Sequence, residues 1–131
     1  PDTMFDPEAE PERDVVLYGH RRMHEDWTKL LDRVVVVDRE SMTIGRSEVF
    51  DDDLSQLVVR PRPHGPGASV GVVTASGPRG FRFLQTRPYL RLGVSYPDVT
   101  VFRPNGLVVY AGFYDQDWAI DDGQSKWAPR W

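Results

Sequence analysis

The sequence contains no cysteine among its 131 residues. This absence excludes a disulfide framework, a thiol nucleophile and any metal site that depends on Cys ligands. A reducing intracellular compartment fits such a chain, and we favour that location. The chain begins with Pro1 rather than Met. Removal of a leader, as on import into an organelle, would produce this start.

Long apolar runs and the common catalytic signatures are missing as well. No uncharged apolar run approaches the roughly 20 residues that a membrane-spanning helix requires, so we expect no membrane span. The sequence has no Gly-Lys-Ser/Thr phosphate loop and no dinucleotide-binding fingerprint. Because no catalytic set is complete, we lean towards a protein that is not an enzyme and expect no cofactor.

Lysine is scarce, and arginine carries most of the positive charge. The sequence has 16 Lys and Arg residues, of which only two are Lys, and its net charge is −4. Residues 60–103 hold seven Arg and a single acid, Asp98, whereas the segments on either side are acidic. The planar guanidinium group matches carboxylate or phosphate. This basic centre is therefore a surface for an anionic partner or the place where the acidic ends fold back.

The hydrophobic pattern predicts a single α+β domain. Apolar residues recur at helical spacing over residues 14–33, which predicts an N-terminal amphipathic helix. About seven short strands are expected after it, with residues 76–80 as a turn between two of them, 70–75 and 81–86. The connections are too short for crossover helices, so we expect a mostly antiparallel sheet that forms a barrel or a sandwich. Arg103–Gly106 is the strongest hairpin turn, because Pro fixes φ and Asn-Gly accepts positive φ.

Composition divides the chain into three parts. Residues 1–13 form an acidic, Pro-rich arm, residues 14–114 form the α+β domain, and residues 115–131 form a polar tail that carries Trp. Trp is costly to leave in water, and protein interfaces are enriched in Trp, Tyr and Arg. We therefore expect a non-catalytic interaction domain, an accessory or adaptor subunit that docks on protein partners in a larger assembly. The expected contact residues are Trp118, Trp127 and Trp131 of the tail, together with Arg87, Tyr89 and Arg91, which would line one face of a strand.

A histidine pair supports an alternative function, a zinc-dependent hydrolase. His20 and His24 lie four residues apart on the predicted helix and would share a face. With His64 they could complete a three-His zinc shell of the catalytic type, with Glu25 as a nearby acid–base group. Arg21 departs from the zincin motif, which has Glu directly after the first His. A buried, hydrogen-bonded His on an apolar stripe is the simpler interpretation.

The basic centre 60–103 supports a second alternative, the binding of an anion, a phosphopeptide or single-stranded nucleic acid. Arg beside an aromatic side chain on a sheet can hold phosphate while the ring stacks on a base. Arg82 would join Arg87 and Arg91 from a neighbouring strand. The sequence pI of about 5.3 makes nucleic acid the less favoured ligand.

One short motif bears on phosphopeptide binding. Thr43–Ser47 resembles the Ile-Gly-Arg signature of forkhead-associated domains, which bind phosphothreonine, and the resemblance implies that Arg46 is a phosphate ligand. Arg62-Pro63-His64 lies about where that family has Arg-x-His. The family's Ser before that Arg is Pro61 here, and Asn105-Gly106 comes later in the chain than the family's Asn-Gly.

Overall fold

The structure is a computed structural model that describes residues 6, 9–19, 35–38, 41–50, 53–62, 65–87, 96–121 and 126–127. Within these ranges the chain forms nine strands and one helix. The strands are β1 (Val15–Tyr18), β2 (Val35–Asp38), β3 (Ser41–Ile44), β4 (Ser47–Phe50), β5 (Ser55–Pro61), β6 (Ser69–Ala75), β7 (Val99–Phe102), β8 (Val108–Gly112) and β9 (Lys126–Trp127). The helix, α1, spans Pro78–Gln85 and lies between β6 and β7 in the chain.

The described strands form two sheets. The larger sheet has six strands in the order β1-β6-β5-β7-β8-β9. In this sheet β1 pairs with β6 in parallel, and every other neighbouring pair is antiparallel. The smaller sheet is antiparallel and has the order β2-β3-β4. The larger sheet is therefore mixed rather than purely antiparallel.

Each face of the central strands β5 and β6 packs on its own core. On one face, buried Val and Leu side chains of the larger sheet pack with Met42 and Ile44 of the smaller sheet. On the other face, Leu57 and Val73 pack with Phe83 of α1. Strands buried on both faces carry near-continuous apolar runs, as β5 and β6 do. The smaller sheet, the larger sheet and α1 thus form three layers.

The predicted N-terminal helix is wrong where the structure describes it. Residues Val15–Tyr18 form β1, with Val15 and Leu17 buried and Val16 exposed, which is the alternation of a strand. Hydrogen bonding to β6 and a sequence rich in β-branched residues favour the strand. Gly19 then adopts a φ of +139°, whereas residues of an α-helix have φ near −63°. The remainder of the predicted helix, from residue 20, lies outside the described residues.

A second prediction is wrong at residues 76–86. The turn predicted at 76–80 and the strand predicted at 81–86 are the start and the body of α1. Pro78 occupies the first turn, where its missing N–H costs no hydrogen bond. The Asp53 carboxylate accepts a hydrogen bond from the backbone N–H of Arg79 at 3.1 Å and so caps this end. The fold class is therefore not an N-terminal helix followed by a barrel or sandwich, but a mixed sheet with a short helix in mid-chain.

Other sequence predictions are confirmed. The hydrophobic pattern predicts strands at residues 34–38, 56–62, 70–75, 99–102 and 107–110, and β2, β5, β6, β7 and β8 lie within two residues of these bounds. The predicted hairpin joins β7 to β8: Gly106 has φ +89° and donates its N–H to the Arg103 carbonyl at 2.8 Å. The Asn105 side chain accepts a hydrogen bond from the Leu107 N–H at 3.0 Å, which fixes the turn further. In the described part of the chain, no helix has the length and apolar character needed to span a bilayer.

Candidate anion-binding site

Helix α1 is held close to the larger sheet by a glycine. A Cβ atom on Gly80 would lie 2.8 Å from the Leu54 carbonyl oxygen and 2.9 Å from the Ala75 Cβ. The Gly80 carbonyl accepts a hydrogen bond from the Ser55 hydroxyl at 2.8 Å. Only glycine allows this approach without displacing the helix.

The opposite side of α1 is basic and faces the β7–β8 turn. Because Gly80 and Phe83 face the sheet, Arg79 and Arg82 lie on the exposed side, three residues apart and so adjacent. A Cβ atom on Gly106 of the turn would lie 3.5 Å from the Phe83 ring and 3.9 Å from the Arg87 guanidinium. The helix end and the hairpin turn therefore meet at one place on the surface.

Between the helix and the turn lies a shallow, open cleft of about 450 Å³, which we call the arginine cleft. The size falls in the range of sites that bind small molecules or parts of macromolecules. Its lining residues are Arg79, Arg82, Phe83, Thr86, Arg87, Pro104 and Asn105.

Two of the three arginines are held in place by neighbours. The Arg87 guanidinium carbon lies 4.3 Å from the centre of the Phe83 ring, which is a cation–π contact. Arg79 forms an exposed ion pair with Asp53, with Nη1 and Oδ2 3.4 Å apart. Arg82 extends from the last turn of α1. Within the described residues no acidic side chain pairs with Arg82 or Arg87, so their charge is available to a ligand.

The polar side chains that line the cleft offer mainly hydrogen-bond donors. The Asn105 Oδ1 atom already accepts the Leu107 N–H, which leaves the amide NH₂ as its free group. The Thr86 hydroxyl donates to the Phe83 carbonyl at 2.7 Å, so its own proton is engaged. Guanidinium and amide N–H groups around one cleft are suited to an anion that accepts several charge-assisted hydrogen bonds.

A second surface feature is the loop that presents Trp118. Trp118 has φ +61° and is 45% exposed, and its ring centre lies 6.1 Å from that of Tyr114. The Asp115 carboxylate accepts hydrogen bonds from the N–H groups of Asp117 at 2.8 Å and Ala119 at 3.0 Å, which close the loop. The loop holds a bulky residue in a left-handed conformation that costs free energy. A half-exposed indole held in this way is suited to contact a partner.

Tyr114, whose ring contacts Trp118, is partly buried. Its N–H donates to the Asp98 carboxylate at 3.0 Å, and the Arg60 guanidinium carbon lies 5.8 Å from its ring centre. Burial raises the pKa of the Tyr114 phenol well above its usual value, and the nearby Arg60 charge opposes that rise in part. The phenol therefore stays neutral at physiological pH and packs as an apolar support for Trp118.

The structure describes only some of the predicted site residues. Arg87 lines the arginine cleft and Trp118 lies in its own loop. The backbone of Trp127 pairs with that of Tyr110, and the structure does not describe the Trp127 side chain. Arg87 follows α1 instead of lying in a strand, and Arg82 lies on α1, so the expected sheet face is wrong at these two positions. Several predicted residues lie outside the described residues: Tyr89, Arg91 and Trp131, and the candidate zinc ligands His20, His24 and His64.

Sequence reasoning missed Arg79 and Asn105 as members of the site. The signal for Arg79 was its spacing from Arg82, which places both on one helix side once Pro78 is read as the start of a helix. Asn105 gave no such signal, because tertiary packing brings the hairpin turn to the helix. Arg46 lies in the β3–β4 turn of the smaller sheet and is not among the cleft residues.

Comparisons with known protein families, with curated proteins and with solved structures find no match for this chain. The function is therefore inferred from the chain's own residues and their arrangement.

Proposed function

We propose that this protein is a non-catalytic interaction domain that binds an anionic group of a protein partner at the arginine cleft. The observation that carries the proposal is the convergence of Arg79, Arg82 and Arg87 on one cleft between α1 and the β7–β8 turn. Guanidinium groups that are partly pre-positioned lose less conformational entropy on binding. They also steer an anionic partner towards the cleft before contact is made.

The character of the lining supports binding over bond cleavage. Among the described residues, neither a His nor a carboxylate lines the cleft, and the Thr86 hydroxyl is engaged with the backbone. A general base or an activated nucleophile would need such a group within hydrogen-bond reach of the substrate. The three arginines supply charge and orientation, which are what a docking site requires.

The same lining argues against single-stranded nucleic acid. Sequence-independent binding of single strands relies on aromatic rings that are exposed for base stacking. Phe83 is the aromatic residue of the cleft, but only 7% of its surface is exposed and Arg87 covers its ring.

An NMR titration tests the proposal. The probes are inorganic phosphate and an acidic peptide, added to uniformly ¹⁵N-labelled protein at low salt. We expect shifts at the Asn105 side-chain amide and the backbone of Thr86. The double variant Arg82→Gln, Arg87→Gln should bind at least about tenfold more weakly, because each charge-assisted hydrogen bond contributes about 1.5–3 kcal/mol.

Arg46→Gln is the matched control, because Arg46 is exposed and lies in the other sheet. It removes one positive charge without touching the cleft, so it should bind both probes within about twofold of the unmodified protein. Shifts that map elsewhere, or an equal loss in the Arg46→Gln and cleft variants, would mean that the arginine cleft is not the binding site.

A further inference from the structure

Resting on this proposed function, we infer that the arginine cleft recognises a phosphate monoester, carried by a phosphorylated side chain of the partner protein. The inference starts from charge. Three arginines line the cleft, and one of them, Arg79, is partly neutralised by Asp53 at 3.4 Å. The charge left for a ligand is close to +2. A phosphate monoester carries about −1.5 to −2 at neutral pH, whereas a carboxylate and a phosphodiester each carry one negative charge.

The placement of the donors leads to the same ligand. A single guanidinium can satisfy both oxygens of a carboxylate through two parallel hydrogen bonds. Here the guanidinium groups come from three separate positions, Arg79, Arg82 and Arg87, and the free amide of Asn105 comes from the facing turn. Donors on two walls of a cleft suit a tetrahedral group with three terminal oxygens better than a planar group with two.

The size and the border of the cleft point to a phosphate attached to a larger molecule. A volume of about 450 Å³ exceeds what one phosphate group fills. The remaining space is bordered by Pro104 and by Phe83, over whose ring the Arg87 guanidinium lies. These apolar parts can pack against the methylene or ring that carries the phosphate and against neighbouring residues of the partner.

Isothermal titration calorimetry on the full chain distinguishes the ligands. The probes are three capped pentapeptides of otherwise identical sequence with phosphoserine, Glu or Ser at the centre, together with AMP and dimethyl phosphate. We expect the phosphoserine peptide to bind at least about tenfold more tightly than the Glu peptide, and the Ser peptide not to bind. Its affinity should fall severalfold from pH 7.5 to pH 5.5. The second phosphate pKa is about 6, so the phosphate loses most of its second negative charge over this range.

Variants assign the binding to the cleft. Arg82→Gln and Arg87→Gln should each weaken phosphoserine-peptide binding about tenfold or more, and Asn105→Ala severalfold. Arg46→Gln should leave it within about twofold. Circular dichroism melting curves identify any variant that has not folded, and Arg82→Lys offers a milder change that keeps the charge but loses the fork.

The outcomes separate this inference from the proposed function. Equal binding of the Glu and phosphoserine peptides would overturn the inference and leave an anion-binding interaction domain. If AMP bound in the cleft more tightly than the phosphoserine peptide, the inference that a protein partner carries the phosphate would be wrong. Dimethyl phosphate that binds as well as the monoesters would overturn the requirement for a dianion. If no probe bound at the cleft, both proposals would fall.

Discussion

At the scale of single residues, Arg62 shows how a basic side chain can serve structure. It is buried, with 4% of its surface exposed, and donates hydrogen bonds to the backbone carbonyls of Glu10 and of Arg13, the latter at 2.7 Å. A Cβ atom on Gly65 would clash with the Pro11 carbonyl, so the chain before β1 lies tightly against the β5–β6 connection. Part of the basic centre is thus used to hold the acidic N-terminal segment.

We expect Arg62→Met to lower the free energy of unfolding by about 2–3 kcal/mol. The methionine keeps the apolar stem but loses charge-assisted hydrogen bonds to two carbonyl groups. Urea denaturation followed by tryptophan fluorescence measures the change. Arg13→Ala is the control: its exposed ion pair with Glu10 should contribute less than about 1 kcal/mol. Equal losses in the two variants would show that Arg62 does not anchor the segment.

At the scale of secondary-structure elements, the position of α1 depends on Gly80. Alanine is normally the better residue inside a helix, by about 1 kcal/mol. Here its methyl group would meet the Leu54 carbonyl at 2.8 Å and the Ala75 Cβ at 2.9 Å, so the helix would have to move away from the sheet. Since α1 forms one wall of the arginine cleft, such a movement would also change the distance between the arginines and the β7–β8 turn.

We expect Gly80→Ala to destabilise the protein by about 1–3 kcal/mol, because the cost of overpacking exceeds the gain in helix propensity. Chemical denaturation gives the value, and the phosphate titration described above should show weaker binding. Gly71→Ala is the matched control, because its methyl group would meet Val16 Cγ2 at an ordinary 3.7 Å. A Gly80→Ala protein as stable as Gly71→Ala would mean that α1 can shift freely on the sheet.

The elements also show why the sequence was only partly predictive. The β7–β8 hairpin was identified because Pro104, Asn105 and Gly106 specify a turn through local conformational preferences. Helix α1 was missed because it has only eight residues, carries Gly80 in its middle, and has Phe81 and Phe83 at the spacing of a strand. In short segments the two periods cannot be told apart, and packing against β5 and β6 decides between them.

At the scale of the whole molecule, the two candidate contact features lie on opposite sides of the larger sheet. The arginine cleft belongs to the α1 side, where Phe83 joins one core cluster. The Trp118 loop belongs to the other side, where Tyr114 and Ile120 pack on the core shared with the smaller sheet. The cleft is basic, and the loop from 113 to 121 carries three Asp and no basic residue. A ligand confined to the cleft therefore does not touch the Trp118 loop.

Ligand binding at the cleft should stabilise the folded chain as a whole. A phosphoserine peptide at 100 times its dissociation constant should raise the free energy of unfolding by about 2.7 kcal/mol, because the unfolded chain has no cleft. The melting temperature should rise by several degrees in a thermal denaturation experiment. Arg87→Gln should lose most of this rise at the same peptide concentration, and Arg46→Gln should keep it. A rise that persists in Arg87→Gln would place the binding elsewhere.

The two walls of the arginine cleft come from separate stretches of the chain, residues 79–87 and residues 104–105. A phosphate held between them would connect these stretches from outside, as a reversible cross-link closes a loop. Addition and removal of one phosphate on the partner would then control how firmly the hairpin turn is joined to the helix. Amide hydrogen exchange at Gly106 and Leu107 should slow when the cross-link is present. Phosphorylation of the partner would thus change the local rigidity of this chain.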